Sequence, residues 1–276
     1  MWTIIKSTFR EALHKRFALA MMVSAVFLLF IVIGYTEFRP GPDGKMYVVD
    51  ILTKKLISPD DRIQDWQRML IGVSASLWTI FGIFAMAPLL ASPLEKGNAE
   101  LVFPKGQSRT HVILAKFIGS ILVYALTLLF LNGLALAYFR FHVVLAWQQH
   151  MLEVGMIMAG FVAVMSVMAF VASIVPGQGQ MITSGYGVWI LSNVLKARAE
   201  YYPSLPFMWM RTVFEWVYRI FPKNSELNEM AIRHLNFVNH QHGAAPVTNW
   251  MPLWSTLLFT FVVFSVTVWR IERRSF

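Results

Sequence analysis

The residues that could carry chemistry are few, and each is tested first against the reaction it would serve. His234, His240 and His242 form an H-x5-H-x-H run, and imidazoles are common metal ligands. A turn-prone Gly243-Ala244-Ala245-Pro246 follows, and no acid stands at ligand spacing. The run is therefore read as solvent-facing side chains and not as a metal site. There is no cysteine, so disulfides, thiolate nucleophiles and Cys-based metal sites are excluded. No G-x-x-x-x-G-K-[ST] phosphate loop occurs, and Gly177-Gln178-Gly179 reads as a tight turn, not a phosphate cradle. No Ser/His pair, paired carboxylates or H-E-x-x-H run falls at membrane depth, which argues against an intramembrane enzyme. The remaining polar groups are small: Ser74, Ser76 and Thr79 in one apolar block, Thr183, Ser184 and Tyr186 in another. They either line a pathway or hydrogen-bond between packed helices. The ionisable residues near apolar blocks, Lys116 and Glu153, stand at their edges. A proton-coupled carrier needs acids or histidines at depth, and the pattern argues against one.

The elements that must hold these groups are membrane helices. Of 276 residues, 57% are hydrophobic and 14% charged, whereas soluble domains carry about a quarter charged residues. Apolar residues come in blocks long enough to cross a hydrocarbon core, over 17–35, 69–92, 117–139, 154–175 and 251–269. A shorter block at 181–195 is diluted by hydroxyls and glycines. The expectation is an all-α polytopic membrane protein, a single transmembrane domain over 1–276 with six transmembrane helices. The net charge of +9 sits largely in short clusters beside these blocks, which fits headgroups and an orientation signal and not nucleic acid.

Those clusters orient the chain. Lys6, Arg10, Lys15 and Arg16 precede the first block; Lys96, Lys105, Arg109 and Lys116 lie between the second and third; Arg270, Arg273 and Arg274 end the sequence. The segments on the opposite side are longer, and the first of them is rich in acids. The positive-inside rule therefore makes both termini cytoplasmic. Residues 1–16 are too long and patterned for the charged start of a cleavable signal. They form an amphipathic helix instead, with Trp2, Ile5, Phe9, Ala12 and Leu13 on one face and Lys6, Ser7, Arg10 and His14 on the other. Such a helix lies in the membrane interface, unless it merely extends the first span.

Three connections carry further expectations. Residues 36–68 read as a hairpin-like excursion, with turns at Pro40-Gly41-Pro42-Asp43-Gly44 and a β-prone stretch over 46–51. The outer loop 196–250 holds an aromatic stretch at 201–221, read as an interfacial or partly re-entrant helix ending at Pro222, with Trp209, Phe214, Trp216, Val217 and Ile220 against lipid. Between the second and third blocks, 93–111 is a cytoplasmic segment whose helix-forming part, 94–103, ends at Pro104 and Gly106. A stiff element fixed to two spans can transmit force to or from a partner; otherwise it is a solvated loop.

The run Glu95-x-Gly97, Glu100-Leu101, Pro104, Ser108-Arg109 and Lys116-Phe117-Ile118-Gly119 resembles the permease subunits of type-2 ATP-binding-cassette (ABC) transporters. The opening Thr8-Phe9-Arg10-Glu11-Ala12 with Lys15-Arg16-Phe17, and Tyr218-Arg219-Ile220-Phe221-Pro222, are similar to that family as well. Two positions depart from its pattern: Pro104 stands earlier relative to Ser108-Arg109 than that pattern has it, and Asn98 replaces the usual Thr. The resemblance implies a six-helix permease half that pairs with a second permease subunit, as a homo- or heterodimer. Beneath it a separate cytoplasmic ATPase would hydrolyse ATP with Mg. Glu95, Gly97, Glu100, Leu101, Pro104, Ser108 and Arg109 would then couple to that ATPase, and Trp2, Phe9, Arg10 and Glu11 would belong to the interfacial helix beside it.

On this reading the chain has no cofactor or enzyme activity of its own and sits in a bacterial-type plasma membrane. Its polar hydroxyls, near the expected dimer axis, suit a lipid-like, peptide or otherwise hydrophobic cargo. A non-transporting scaffold of an ABC-type assembly complex shares the same features, and an intramembrane enzyme is the remaining alternative.

Overall fold

A backbone surrounded by hydrocarbon must satisfy its own hydrogen bonds, so long apolar blocks fold as helices. The computed structural model describes residues 1–34, 36–40, 46–50, 56–57, 59–92, 109–140, 147–204, 207–238 and 246–273. Helix α1 (Trp2–His14) is followed by α2 (Phe17–Gly34), and the pair bends by 62° at the break between them. The bend sits on Arg16, whose φ of 58° lies in the left-handed region. That conformation costs a non-glycine residue about 1–2 kcal/mol, so contacts elsewhere must hold the elbow. Helix α1 is thus no straight extension of the first span.

The excursion after α2 is a three-stranded antiparallel sheet in the order β1 (Thr36–Pro40), β2 (Met46–Asp50), β3 (Leu56–Ile57). Thr36 pairs with Asp50, Pro40 with Met46, and Val48 with Ile57. The β-prone stretch expected at 46–51 is its central strand.

A long rod follows: α3 (Pro59–Val73), a π-helical segment (Ser74–Trp78) and α4 (Thr79–Ala91). Pro59 opens it, where the missing N–H of proline is not needed. Helices α5 (Arg109–Arg140), α6 (Trp147–Ile174) and α7 (Gln178–Lys196) come next. The outer connection is largely helical too: a short α8 (Arg198–Tyr201), a 3-10 turn (Tyr202–Ser204), α9 (Met208–Ile220) and α10 (Asn224–Val238). Helix α11 (Met251–Glu272) ends the described chain.

Four stretches are long and apolar enough to cross a membrane: Asp65–Ala91, Thr110–Tyr138, His150–Ile174 and Met251–Glu272. The bent α1–α2 pair makes a fifth only if the two helices count as one broken span. Helix α7, the expected short span, has 19 residues, enough at about 1.5 Å each for the hydrocarbon core. It is not apolar enough to pass as a crossing by composition, because Gln178, Gln180, Thr183, Ser184 and Asn193 dilute it. The protein is thus a helical, multi-pass membrane protein with four to five candidate spans.

Helix α6 is the hub, packing on α4, α5, α7, α10 and α11. The closest approach uses Gly82 of α4. A Cβ there would lie 2.6 Å from the Tyr124 ring and 2.8 Å from Phe161, two rings stacked at 3.5 Å between α5 and α6. Gly185 plays the same part where α7 meets Ile83 and Met168. Trp78, Leu128, Met165 and Met168 complete the buried centre. Val23, Phe27 and Phe30 of α2 and Trp254, Leu258, Phe261 and Trp269 of α11 face outward, fully apolar and exposed, as lipid-facing or subunit-facing helices require.

Candidate functional site

Two polar constellations interrupt this apolar packing, one at each end of α5. The first ties α1 to the bundle. Ile5, Thr8 and Ala12 form a helical stripe buried against α5, while Trp2 and Leu13 of the adjoining stripe stay exposed. The apolar face expected from the sequence is therefore shared: one stripe meets protein and the next is left for the membrane interface. Phe9 is half-buried and Arg10 exposed. Thr8 fits because residue 119 is glycine; a Cβ there would come 2.9 Å from the Thr8 Cβ.

Beside this contact, Lys116 of α5 donates to Glu11 Oε2 at 2.5 Å, and Lys15 reaches Glu11 Oε1 at 2.8 Å. The Lys15 ammonium also donates to the Pro88 carbonyl near the end of α4. Burial pushes the Glu11 carboxyl up, but the two ammonium groups outweigh it and hold it below the usual carboxylate range. The Lys116-Phe117-Ile118-Gly119 run thereby acquires a physical role: its lysine and glycine are the receptors for α1. Phe117 stacks on Phe264 of α11 at 4.1 Å, and the Thr110 hydroxyl hydrogen-bonds Glu272. The ends of α1, α4, α5 and α11 are tied together here.

These ties frame the connection between α4 and α5. Glu95, Gly97, Glu100, Leu101, Pro104 and Ser108 lie outside the described residues. Arg109 is the first residue of α5, and its side chain is likewise outside what is described.

The six hydroxyl residues singled out as a pathway are not brought to one place. Ser74 and Thr79 are buried inside the bundle. Ser76 and Ser184 bond to carbonyls of their own helices, at Gly72 and Met181. Thr183 is exposed, and Tyr186 meets Phe84 edge-on at 5.4 Å. The pairing of α4 with α7 is real, but its outward face is mostly apolar: Leu77, Phe81 and Phe84 on one helix, Ile190 and Val194 on the other.

The second constellation revises two expectations. Helix α6 begins at Trp147, and Glu153, expected at the edge of an apolar block, is buried in the bundle together with His150. Both side chains are 0% exposed. His234, expected to face solvent, comes from α10 and places Nδ1 at 3.1 Å from Glu153 Oε1; its side chain is 18% exposed. Burial holds its imidazole below the usual histidine range. An acid thus does stand beside this histidine, 81 positions away in sequence. Across the site, His150 Nε2 lies 3.0 Å from Asn132 Oδ1. The Asn132 amide donates to Leu128 O at 2.9 Å and to Ser74 Oγ at 3.2 Å. The imidazole rests on Asn132 and not on the Ser74 hydroxyl, so no base activates that serine. Ser74 opens the π-helical segment; such bulges recur at functional sites. Among the described residues no group of three His, Asp or Glu could hold a metal ion, and His240 and His242 lie outside them.

Outside the spans, Arg198 holds α9 in place. Its guanidinium stacks 3.3 Å over the Tyr218 ring and approaches Glu215 at 3.4 Å and Glu226 at 3.5 Å. Tyr218 donates to Glu226 at 2.9 Å, while Tyr202 hydrogen-bonds Glu215. Burial raises the Tyr218 phenol, with the Glu226 carboxylate adding to it, to about 12. Trp209, Val213, Trp216 and Ile220 are exposed on the far side of α9, with Phe214 and Val217 half-buried. The helix ends at Ile220, just before Pro222, as its sequence indicates. The start of α10 is capped by its neighbours: Lys223 N–H donates to Thr256 Oγ1 and Ser225 N–H to Ser192 Oγ, each at 3.0 Å.

Comparison of the chain with known protein families, with curated proteins and with solved structures finds no match, so what stands is a helical membrane protein with four to five candidate spans and no family identified.

Proposed function

We propose that the chain is the membrane-spanning permease half of an ABC exporter, which moves a hydrophobic, lipid-like or peptide cargo with ATP hydrolysed by a separate subunit. The observation that carries the reading is the Glu11–Lys116–Lys15 tie. It fixes an amphipathic helix to the third long helix and to the end of α4, beside the connection that resembles a coupling segment. In this reading α7 completes six crossings, the termini and the 93–111 segment face the cytoplasm, and α9 lies in the outer interface. A second permease subunit covers the apolar face of α4 and α7. That face offers Leu77, Phe81, Phe84, Ile190 and Val194 without a charged side chain among them, which suits a helix-to-helix contact in lipid.

The test is purification of the tagged full chain from its native membranes, followed by identification of bound soluble subunits and ATP turnover in liposomes. The expected partner contains a G-x-x-x-x-G-K-[ST] loop, and Glu95→Ala, Glu100→Ala and Arg109→Ala together release it. No co-purifying ATPase, or an unchanged complex with unchanged turnover in the triple variant, overturns the reading.

A further inference from the structure

The hydrogen bonds around His150 leave one position that a proton would fill. The amide of Asn132 is oriented without ambiguity, because the Leu128 carbonyl accepts and cannot donate; its nitrogen must face Leu128 and Ser74. The oxygen of Asn132 is then an acceptor, so His150 Nε2 carries hydrogen. In a neutral imidazole the other nitrogen, Nδ1, is a bare lone pair. It faces Glu153 Oε2 at 3.6 Å. Both atoms are buried, and among the described residues neither has a hydrogen-bond partner. Glu153 Oε1 is already occupied by His234 Nδ1. A bare ring nitrogen opposite a bare carboxylate oxygen, with no water-accessible surface on either, is a repulsive pair whose burial is costly. One proton between them, with the 3.6 Å gap closing to hydrogen-bond distance, converts it into a hydrogen bond.

We propose that His150, Glu153 and His234 form a proton-binding site that holds one proton between His150 Nδ1 and Glu153 Oε2, with His234 as its door to solvent. The proton rests as a carboxylic acid donating to a neutral ring, or as an imidazolium donating to a carboxylate; the charge of the pair is the same. His234 is the only one of the three with an exposed side chain. A proton enters at its Nε2 while Nδ1–H passes to Glu153 Oε1; the ring keeps its charge but is left as the Nε2–H tautomer, and the carboxyl proton reaches His150 by turning from Oε1 to the Oε2 side.

The surrounding charges are engaged with one another. On α10, Glu229 pairs with Arg233 and with Lys196 of α7. On α3, Arg68 donates to Asn236 and meets Asp65. Helix α5 contributes Asn132 here, with Tyr138 and Arg140 about two turns further on, and the first charged residue of α11 is Arg270 at its far end. Among the described residues no lysine or arginine forms an ion pair with Glu153, whose partners are His150 and His234. A bound divalent metal is the competing occupant.

The experiment is infrared and nitrogen-15 histidine spectroscopy on the purified full chain in lipid nanodiscs at neutral pH, with metal content measured on the same sample. The expected result is one signal from either a buried carboxylic acid or a doubly protonated His150, lost completely in Glu153→Gln. That substitution replaces the proton with an amide N–H able to donate to His150 Nδ1, so the fold is retained. His234→Gln keeps the signal and slows its exchange with deuterated water. A carboxylate beside two neutral imidazoles, or a stoichiometric divalent metal, overturns the proposal. Should Glu153→Gln not fold, the wild-type titration with and without chelator decides alone. These readouts do not depend on transport or on an ATPase.

Discussion

Removing the Glu11 carboxylate isolates the contact that holds α1 to the bundle. In Glu11→Ala the Lys116 ammonium, 9% exposed, loses its buried partner. Orphaning one member of a fully buried ion pair costs about 3–5 kcal/mol. The Glu11 side chain keeps 22% of its exposure, so about 2–3 kcal/mol is the share expected here. That loss falls on the docking of α1, because the other contacts of Ile5, Thr8 and Ala12 are apolar. Amide hydrogen exchange within α1 should accelerate by roughly 30- to 150-fold. Glu11→Leu with Lys116→Met removes both charges and should return exchange to within a few-fold of wild type, since the penalty lies in the unpaired charge and not in the missing bridge.

Acidity offers the same test without mutation. The folded Glu11 carboxyl is held below its ordinary value by Lys116 and Lys15, against burial. Its contribution is therefore complete above the ordinary carboxylate range and is lost as pH falls through the folded value. Exchange in α1 should rise on acidification in the wild type and stay flat in the double variant. A double variant that exchanges as fast as Glu11→Ala would refute the electrostatic account, as would a Glu11→Ala that behaves like wild type.

Gly82→Ala should lower the thermal unfolding midpoint in detergent by about 1–3 kcal/mol equivalent, because the new methyl meets two stacked, buried rings at 2.6 and 2.8 Å; an unchanged midpoint would mean that Tyr124 and Phe161 give way freely. Thr256→Val strands the buried Lys223 N–H at the start of α10 and should cost about 1–3 kcal/mol, read as faster amide exchange over the first turn of α10, whereas Thr256→Ser keeps the acceptor and should change little.

The spans were legible because an uncharged apolar block has one physical solution in a bilayer. The bend at Arg16 was not, because nothing in Lys15-Arg16-Phe17 requires a positive φ; the contacts of Lys15 and Glu11, made across the fold, stabilise it. Helix α10 left a readable trace that loop composition obscured: Leu227, Met230, Ala231 and Leu235 repeat at helical period and are all buried. The pair His150 and Glu153 stands at i, i+3 on one helical face, so their proximity was available from spacing alone. Placing that face inward was not, because an apolar window that starts at residue 154 stops one residue short of them. The contact with His234 spans 81 positions, and no local pattern encodes it. The residues from Glu95 to Ser108 that the resemblance would couple to an ATPase lie outside the described residues.

Helix α5 connects the two polar constellations. Lys116 and Gly119 receive α1 at one end, and Asn132 receives His150 and Ser74 at the other. The sixteen-residue separation from Lys116 to Asn132 corresponds to about 24 Å along the axis. Between them the helix packs mainly through Val123, Tyr124, Leu128 and Leu131, with Thr127 Oγ1 reaching Met21 Sδ of α2 at 3.9 Å. Apolar packing resists separation but is tolerant of small sliding, whereas hydrogen bonds and ion pairs fix register. A push on the start of α5 would load both ties, the Glu11–Lys116 contact at one end and the Asn132–His150 contact at the other, and a shift of Asn132 would change the partner that fixes the His150 tautomer. An energy input at one end and a proton site at the other would then be joined by one helix with two pinned ends.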